Sequence, residues 1–152
     1  VGVCTYLHSF FLPEVEKKGM ELVLNLEDIN EAYFIETDRE KLYAIITNLI
    51  KNSIKYSQQG TIEFGYEIKQ DEVEFFVKDT GIGIPDEKKK EVFSRFVQLN
   101  TKVDEFNEGS GLGLSITKAY VELMEGNIWF NSEQGKGSEF RFILPQNLGP
   151  QD

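Results

Sequence analysis

Two glycine-rich turns restrict what this chain can become more than anything else in it. The first is Asp79-Thr80-Gly81-Ile82-Gly83-Ile84-Pro85, opened by an acid, and the second is Gly109-Ser110-Gly111-Leu112-Gly113-Leu114. Glycine reaches backbone conformations and close approaches that a Cβ blocks, at a cost in chain entropy, so two such concentrations mark backbone that wraps something. The second cluster runs straight into an apolar helical pattern. A helix start behind a glycine loop offers free N–H groups and a positive dipole end, which suits an anion. The anion expected from these residues is a nucleoside triphosphate.

The 152 residues fit one domain, 1–152, large enough to bury a core, and 40% hydrophobic with 12% aromatic residues is a globular composition. The formal net charge of −10 argues against a nucleic-acid surface, which needs clustered Lys and Arg. It also repels an anion at long range. Phosphate recognition would therefore fall to local backbone donors and Mg²⁺. Cys4 is the single cysteine, so no internal disulfide forms and a reducing, cytoplasmic compartment is expected. No apolar run approaches the ~20 residues of a membrane span, and no direct membrane contact is expected. The chain opens at Val1 without Met. It is expected to be a piece of a longer protein.

Residues 6–18 carry helical spacing in Leu7, Phe10, Phe11 and Val15, with Pro13 expected to kink or restart the helix and Gly19 to stop it. Residues 21–26 alternate as a strand, with 33–35 a short partner. Asp38 is a candidate cap for a helix reaching about Tyr56. Residues 60–69 and 72–78 read as strands joined tightly at Gln70-Asp71. Residues 86–96 read as a short helix, and 99–108 as polar and irregular. A helix over 112–124 ends at Gly126, and strands 127–132 and 138–144 flank a turn at 133–137. The expected class is α+β, a two-layer sandwich with helices covering one sheet face.

On the helix over 38–56, Leu42, Ile45, Ile46, Leu49, Ile50 and Ile54 form a core-facing arc. Asn48, Asn52 and Lys55 share a neighbouring stripe at i, i+4 and i+7. Asparagine favours caps and turns over helix interiors. Taken alone, the stripe reads as a solvated face with incidental amides. Beside the glycine loops it reads as a metal–phosphate holder, because an amide oxygen suits Mg²⁺ and a lysine supplies a point charge for phosphate.

Five segments in order resemble one family. Asn48-Leu49-Ile50-Lys51-Asn52-Ser53-Ile54-Lys55-Tyr56 is similar to the N box of the GHKL ATP-binding superfamily, in its sensor histidine kinase branch. Residues 79–85 resemble its first glycine box, Phe93-Ser94-Arg95-Phe96 its F box, and 109–114 its second glycine box. Gly135-Lys136-Gly137-Ser138 resembles the turn before the last strand. The resemblance covers nearly the whole chain and implies a GHKL-type sandwich with a mixed, mostly antiparallel sheet and a flexible ATP lid at 99–108.

The resemblance also implies roles. Asp79 would accept a hydrogen bond from the adenine amino group, helped by Ser138 through water; a carboxylate only accepts, which selects adenine over guanine at that edge. Asn52 would ligate Mg²⁺. Asn48 and Lys55 would contact phosphates, and Tyr56 would pack near adenine or serve as a core aromatic. Gly81 and Gly83 would let backbone approach base and ribose, with Ile84 and Phe96 also at the nucleotide. Gly109, Ser110, Gly111, Leu112, Gly113 and Leu114 would bring N–H groups to the phosphates. Arg95 would stabilise charge near the γ-phosphate or stand as a surface residue. Ser53 replaces a more usual Ala, a change expected to matter little. Gln98 replaces a basic residue often found after the F box.

Hydrolytic members of the superfamily use a Glu one turn before the metal-binding Asn; here that position is Asn48, which cannot take a proton. The resemblance thus implies a kinase passing the γ-phosphoryl group to a histidine on a separate dimerisation and phosphotransfer domain, with a response regulator downstream. A non-catalytic ATP-binding module and a GHKL ATPase are the alternatives. His8, the only histidine, lacks the charged neighbours of the family's acceptor box and is expected to be structural.

Overall fold

Helical spacing of Val3, Cys4, Leu7, Phe11 and Val15, all buried, builds α1 (Gly2–Lys17) in the computed structural model, which describes residues 2–26, 39–55, 57, 59–69, 72–83 and 112–145. The helix starts before residue 6 and does not restart at Pro13. Proline withholds one backbone N–H, but Phe11 and Val15 lock the turns on either side into the core. Phe10 departs from the expected core face. It is 55% exposed and stacks on Tyr6, whose ring also meets Tyr43. The buried line 3, 7, 11, 15 leaves position 10 on the helix flank. Gly19, at φ 79°, ends α1 as expected, with N–H bonds from Gly19 to Glu16 O and from Met20 to Val15 O.

Among the described residues the sheet has five strands: β1 (Glu21–Leu26), β2 (Thr61–Ile68), β3 (Glu72–Asp79), β4 (Asn127–Glu133) and β5 (Gly137–Pro145). Their order is β1-β2-β3-β5-β4; β1 runs parallel to β2, and every other pairing is antiparallel. The mixed, mostly antiparallel sheet is as expected. The parallel pair is connected through α2 (Arg39–Lys55), as a crossover requires.

One sheet face is apolar by alternation. Tyr66, Phe75, Phe142 and Ile128 stand in one cross-strand row, and Phe64, Val77, Phe140 and Phe130 in the next. They join one core cluster with α1, the buried side of α2 and Val121 of α3 (Leu112–Leu123). All six apolar residues expected on the α2 arc are buried. The opposite face is charged. Arg141 lies over Phe76 and bonds Glu74 and Glu139 at 2.7 and 2.6 Å, and Lys78 pairs with Glu63.

The left-handed residue after α3 is Glu125 (φ 67°), one before the expected Gly126, whose N–H closes on Val121 O. Among the described residues no helix is long and apolar enough to cross a membrane. The expectations for residues 33–35, Asp38, 70–71, 86–96 and 99–108 lie outside the described residues.

Candidate functional site

The apolar sheet face turns polar at one end. Leu22, Ile62, Asp79, Ser138 and Ser132 form its last cross-strand row. Asp79 closes β3 on the same side as Val73, Phe75 and Val77, so alternation alone carries a carboxylate into the layer between sheet and helices. It is 8% exposed. A charge in such a place is tolerated only when hydrogen-bonded or paired. Ser53 Oγ donates to Oδ2 at 2.9 Å, Ser138 Oγ donates to Oδ2 at 3.3 Å, and the Gly81 N–H donates to Oδ1 at 2.8 Å.

Two contacts add to what the sequence suggests. Ser138 reaches Asp79 directly, because the two residues face each other across β3 and β5. Ser53, expected to matter little, is 2% exposed and is the shortest side-chain donor to that carboxylate. The sequence held a signal for it: a hydroxyl inside the apolar arc of a core helix must find an acceptor.

α2 brings the amides alongside. Asn48 and Asn52 are half-buried, while Lys55 is exposed at the last position of the helix. Asn48 donates from Nδ2 to Oγ1 of the buried Thr117 at 3.3 Å, which ties the stripe to α3. The first turn of α3 contains no acidic residue, so its leading N–H groups are not met by a carboxylate of their own turn. Leu112, Gly113 and Leu114 lie in that turn, with the Leu114 side chain packed against the core. The structure thus brings together Asp79, Ser53, Ser138 and Gly81 in one hydrogen-bonded group, and Asn48 with α3 in another.

Gly83 has a structural reason that the sequence does not reveal. At φ 77°, a Cβ there would fall 2.3 Å from the Glu133 carbonyl oxygen. The Gly135 N–H also donates to Ile82 O at 2.7 Å. The first glycine turn therefore leans on the β4–β5 turn, and its own backbone demands the small residue. His8 is structural as expected: Nε2 donates to Leu22 O at 3.0 Å and the ring stacks near Phe64. Tyr56, Ile84, Arg95, Phe96, Gly109, Ser110 and Gly111 lie outside the described residues.

Among the described residues, a five-stranded mixed sheet, three helices on one face and an acid at the end of a central strand define an ATPase-like sandwich, and the chain belongs to a family with that character. Residues 37–148 match the family of histidine kinase-, DNA gyrase B- and HSP90-like ATPases. The chain is 37% identical over 128 residues to the circadian input-output histidine kinase CikA of Synechococcus elongatus, covering 84% of this chain and 17% of that protein. It is 34% identical over 140 residues to the sensor histidine kinase WalK of Bacillus subtilis, covering 90% of this chain and 23% of that protein. The chain thus spans a minor part of the curated relatives it matches. Full-length ShkA in complex with AMPPNP superposes with a TM-score of 0.82 at 27% identity, covering 95% of this chain and 29% of that one. The nucleotide-free catalytic domain of the histidine kinase ThkA gives 0.79 at 25% identity, covering 96% and 91%. The fold is that of histidine kinase catalytic domains.

Proposed function

We propose that residues 1–152 form the ATP-binding catalytic domain of a two-component sensor histidine kinase, which passes the γ-phosphoryl group of ATP to a histidine on a separate phosphotransfer domain. The observation that carries this reading is the buried Asp79 carboxylate, fixed by three donors at the end of a core strand. An acceptor-only group in that position suits the exocyclic amine of adenine. The complex of ShkA, a protein with this fold, with the ATP analogue AMPPNP supports the choice of ligand.

The donor chemistry of α2 fits Mg²⁺. The Asn52 amide oxygen is a hard, neutral ligand of the kind that ion accepts beside phosphate oxygens, and the bound ion would neutralise charge on the transferring group. Asn48 and Lys55 would address the phosphates, and the first turn of α3 would add backbone N–H groups. Asn48, held by Thr117, has no capacity to deprotonate water, which favours transfer to an external nucleophile over hydrolysis. The acceptor histidine, the dimerisation helices and a response regulator would be supplied by the rest of the parent protein or by its partners, with this domain on the cytoplasmic side.

The test mixes the purified domain, Mg²⁺ and γ-labelled ATP with the parent's phosphotransfer helices. Acid-labile label on the helices' histidine is expected. Steady phosphate release by the domain alone, without transfer, would overturn the kinase reading.

A further inference from the structure

Ser53 sits on α2 inside the core, yet its hydroxyl is spent on a strand residue 26 positions away. We propose that Ser53 is a positioning residue for base selection: together with Ser138 it fills Asp79 Oδ2, and so leaves Oδ1 as the acceptor for the adenine amine. The inference rests on the reading of Asp79 as the adenine acceptor.

Two oxygens of a carboxylate offer about four lone-pair positions. Among the described residues, Ser53 and Ser138 take both positions on Oδ2, and the Gly81 N–H takes one on Oδ1. One position on Oδ1 is left. The three donors come from α2, β5 and the glycine turn, so the carboxylate is fixed from three independent elements. It cannot turn about its Cβ–Cγ bond without breaking bonds to at least one of them.

Ala at position 53 would remove the shorter of the two bonds to Oδ2. A buried lone pair would then lack a donor, and the carboxylate would recover one by turning or by drawing in water. An incoming amine would meet an acceptor that is displaced or already hydrated. A ligand without that amine would lose nothing. Ser53 therefore governs how strongly the site distinguishes a 6-amino purine from other purines, separately from how well it holds ribose and phosphates.

The test titrates the whole chain with Mg·ATP and with the Mg complex of the 6-unsubstituted purine ribonucleoside triphosphate, in wild type, Ser53→Ala, Ser53→Thr and Asp79→Asn. For Ser53→Ala, ATP affinity is expected to fall roughly tenfold while affinity for the analogue moves less than about twofold. Ser53→Thr, which keeps the hydroxyl, is expected to retain the preference for ATP. An equal loss for both ligands, or no loss for either, would overturn the role of Ser53. Asp79→Asn separates the two levels. If it abolishes the preference and Ser53→Ala does not, only the Ser53 proposal fails. If it leaves the preference intact, the adenine reading of Asp79 fails with it.

Discussion

Lys18, just past the end of α1, caps the end of α2: its Nζ is 2.6 Å from O of Ile54, in the last turn of the helix, and 2.7 Å from O of Ser57, two residues beyond it. The final carbonyls of a helix have no partners within it, and a cation there also opposes the negative end of the dipole. The two bonds bracket Lys55 and begin one residue after Ser53 and two after Asn52. Lys18→Met, which keeps the stem and removes the charge, is expected to cost about 1 kcal/mol of stability in urea melts. ATP affinity should fall alongside as the end of α2 frays. Unchanged melting and unchanged affinity would show that the cap is idle.

Gly83→Ala tests the contact between the first glycine turn and the β4–β5 turn. The new Cβ would overlap the Glu133 carbonyl, and the left-handed backbone adds strain of its own. A destabilisation of about 2 kcal/mol or more is expected. Hydrogen exchange localises it, because the Gly135 N–H bonded to Ile82 O should exchange faster. Normal protection at Gly135 would mean that the loop absorbs the methyl group without leaving its seat.

The contrast between α1 and α2 shows what the sequence disclosed. Along α2 the apolar period runs unbroken for four turns, so each of its six core residues was legible. On α1 the period admits Phe10 as readily as Phe11, and the rings of Tyr6 and Phe11 against it make an exposed position tolerable. Asp79 was legible through its motif, and its depth follows from strand alternation. Ser53 was legible only as a hydroxyl in need of an acceptor; that the acceptor is Asp79 depends on a contact between elements that only the completed sandwich brings together. The parallel pairing of β1 with β2 has the same origin: a six-residue strand states its own faces but not its neighbour.

Cys4 gives the protein an alkaline weakness. Burial pushes its thiol up to about 11 from an ordinary 9.0. The folded protein thus keeps a proton that the unfolded chain releases, so the contribution to stability is complete below pH 9 and is lost as pH rises toward 11. Two units correspond to roughly 2–3 kcal/mol at most. Urea melts of wild type and Cys4→Ala between pH 7 and 10.5 should show the wild-type advantage shrinking with pH. A difference independent of pH would show that the thiol does not titrate with folding.

Thr117 offers the last test, of the amide that stands where hydrolytic relatives place a base. Its Oγ1 accepts from Asn48 Nδ2, which turns the amide oxygen of Asn48 away from that contact. Thr117→Val keeps the shape of this fully buried site and removes the acceptor. The amide then loses the contact that holds Nδ2 at α3, which weakens its preference for presenting oxygen over N–H₂ on the other side. Under the proposed function, a twofold loss or less in ATP affinity is expected, because the base and most phosphate contacts proposed would persist, with about a five- to tenfold slower transfer to the phosphotransfer helices, since a small misplacement at a phosphoryl-transfer site costs rate more than binding. Thr117→Ser should restore the rate. If the rate follows affinity instead, or neither changes, the link from Thr117 to Asn48 serves packing between α2 and α3 and not the orientation of the reacting phosphate.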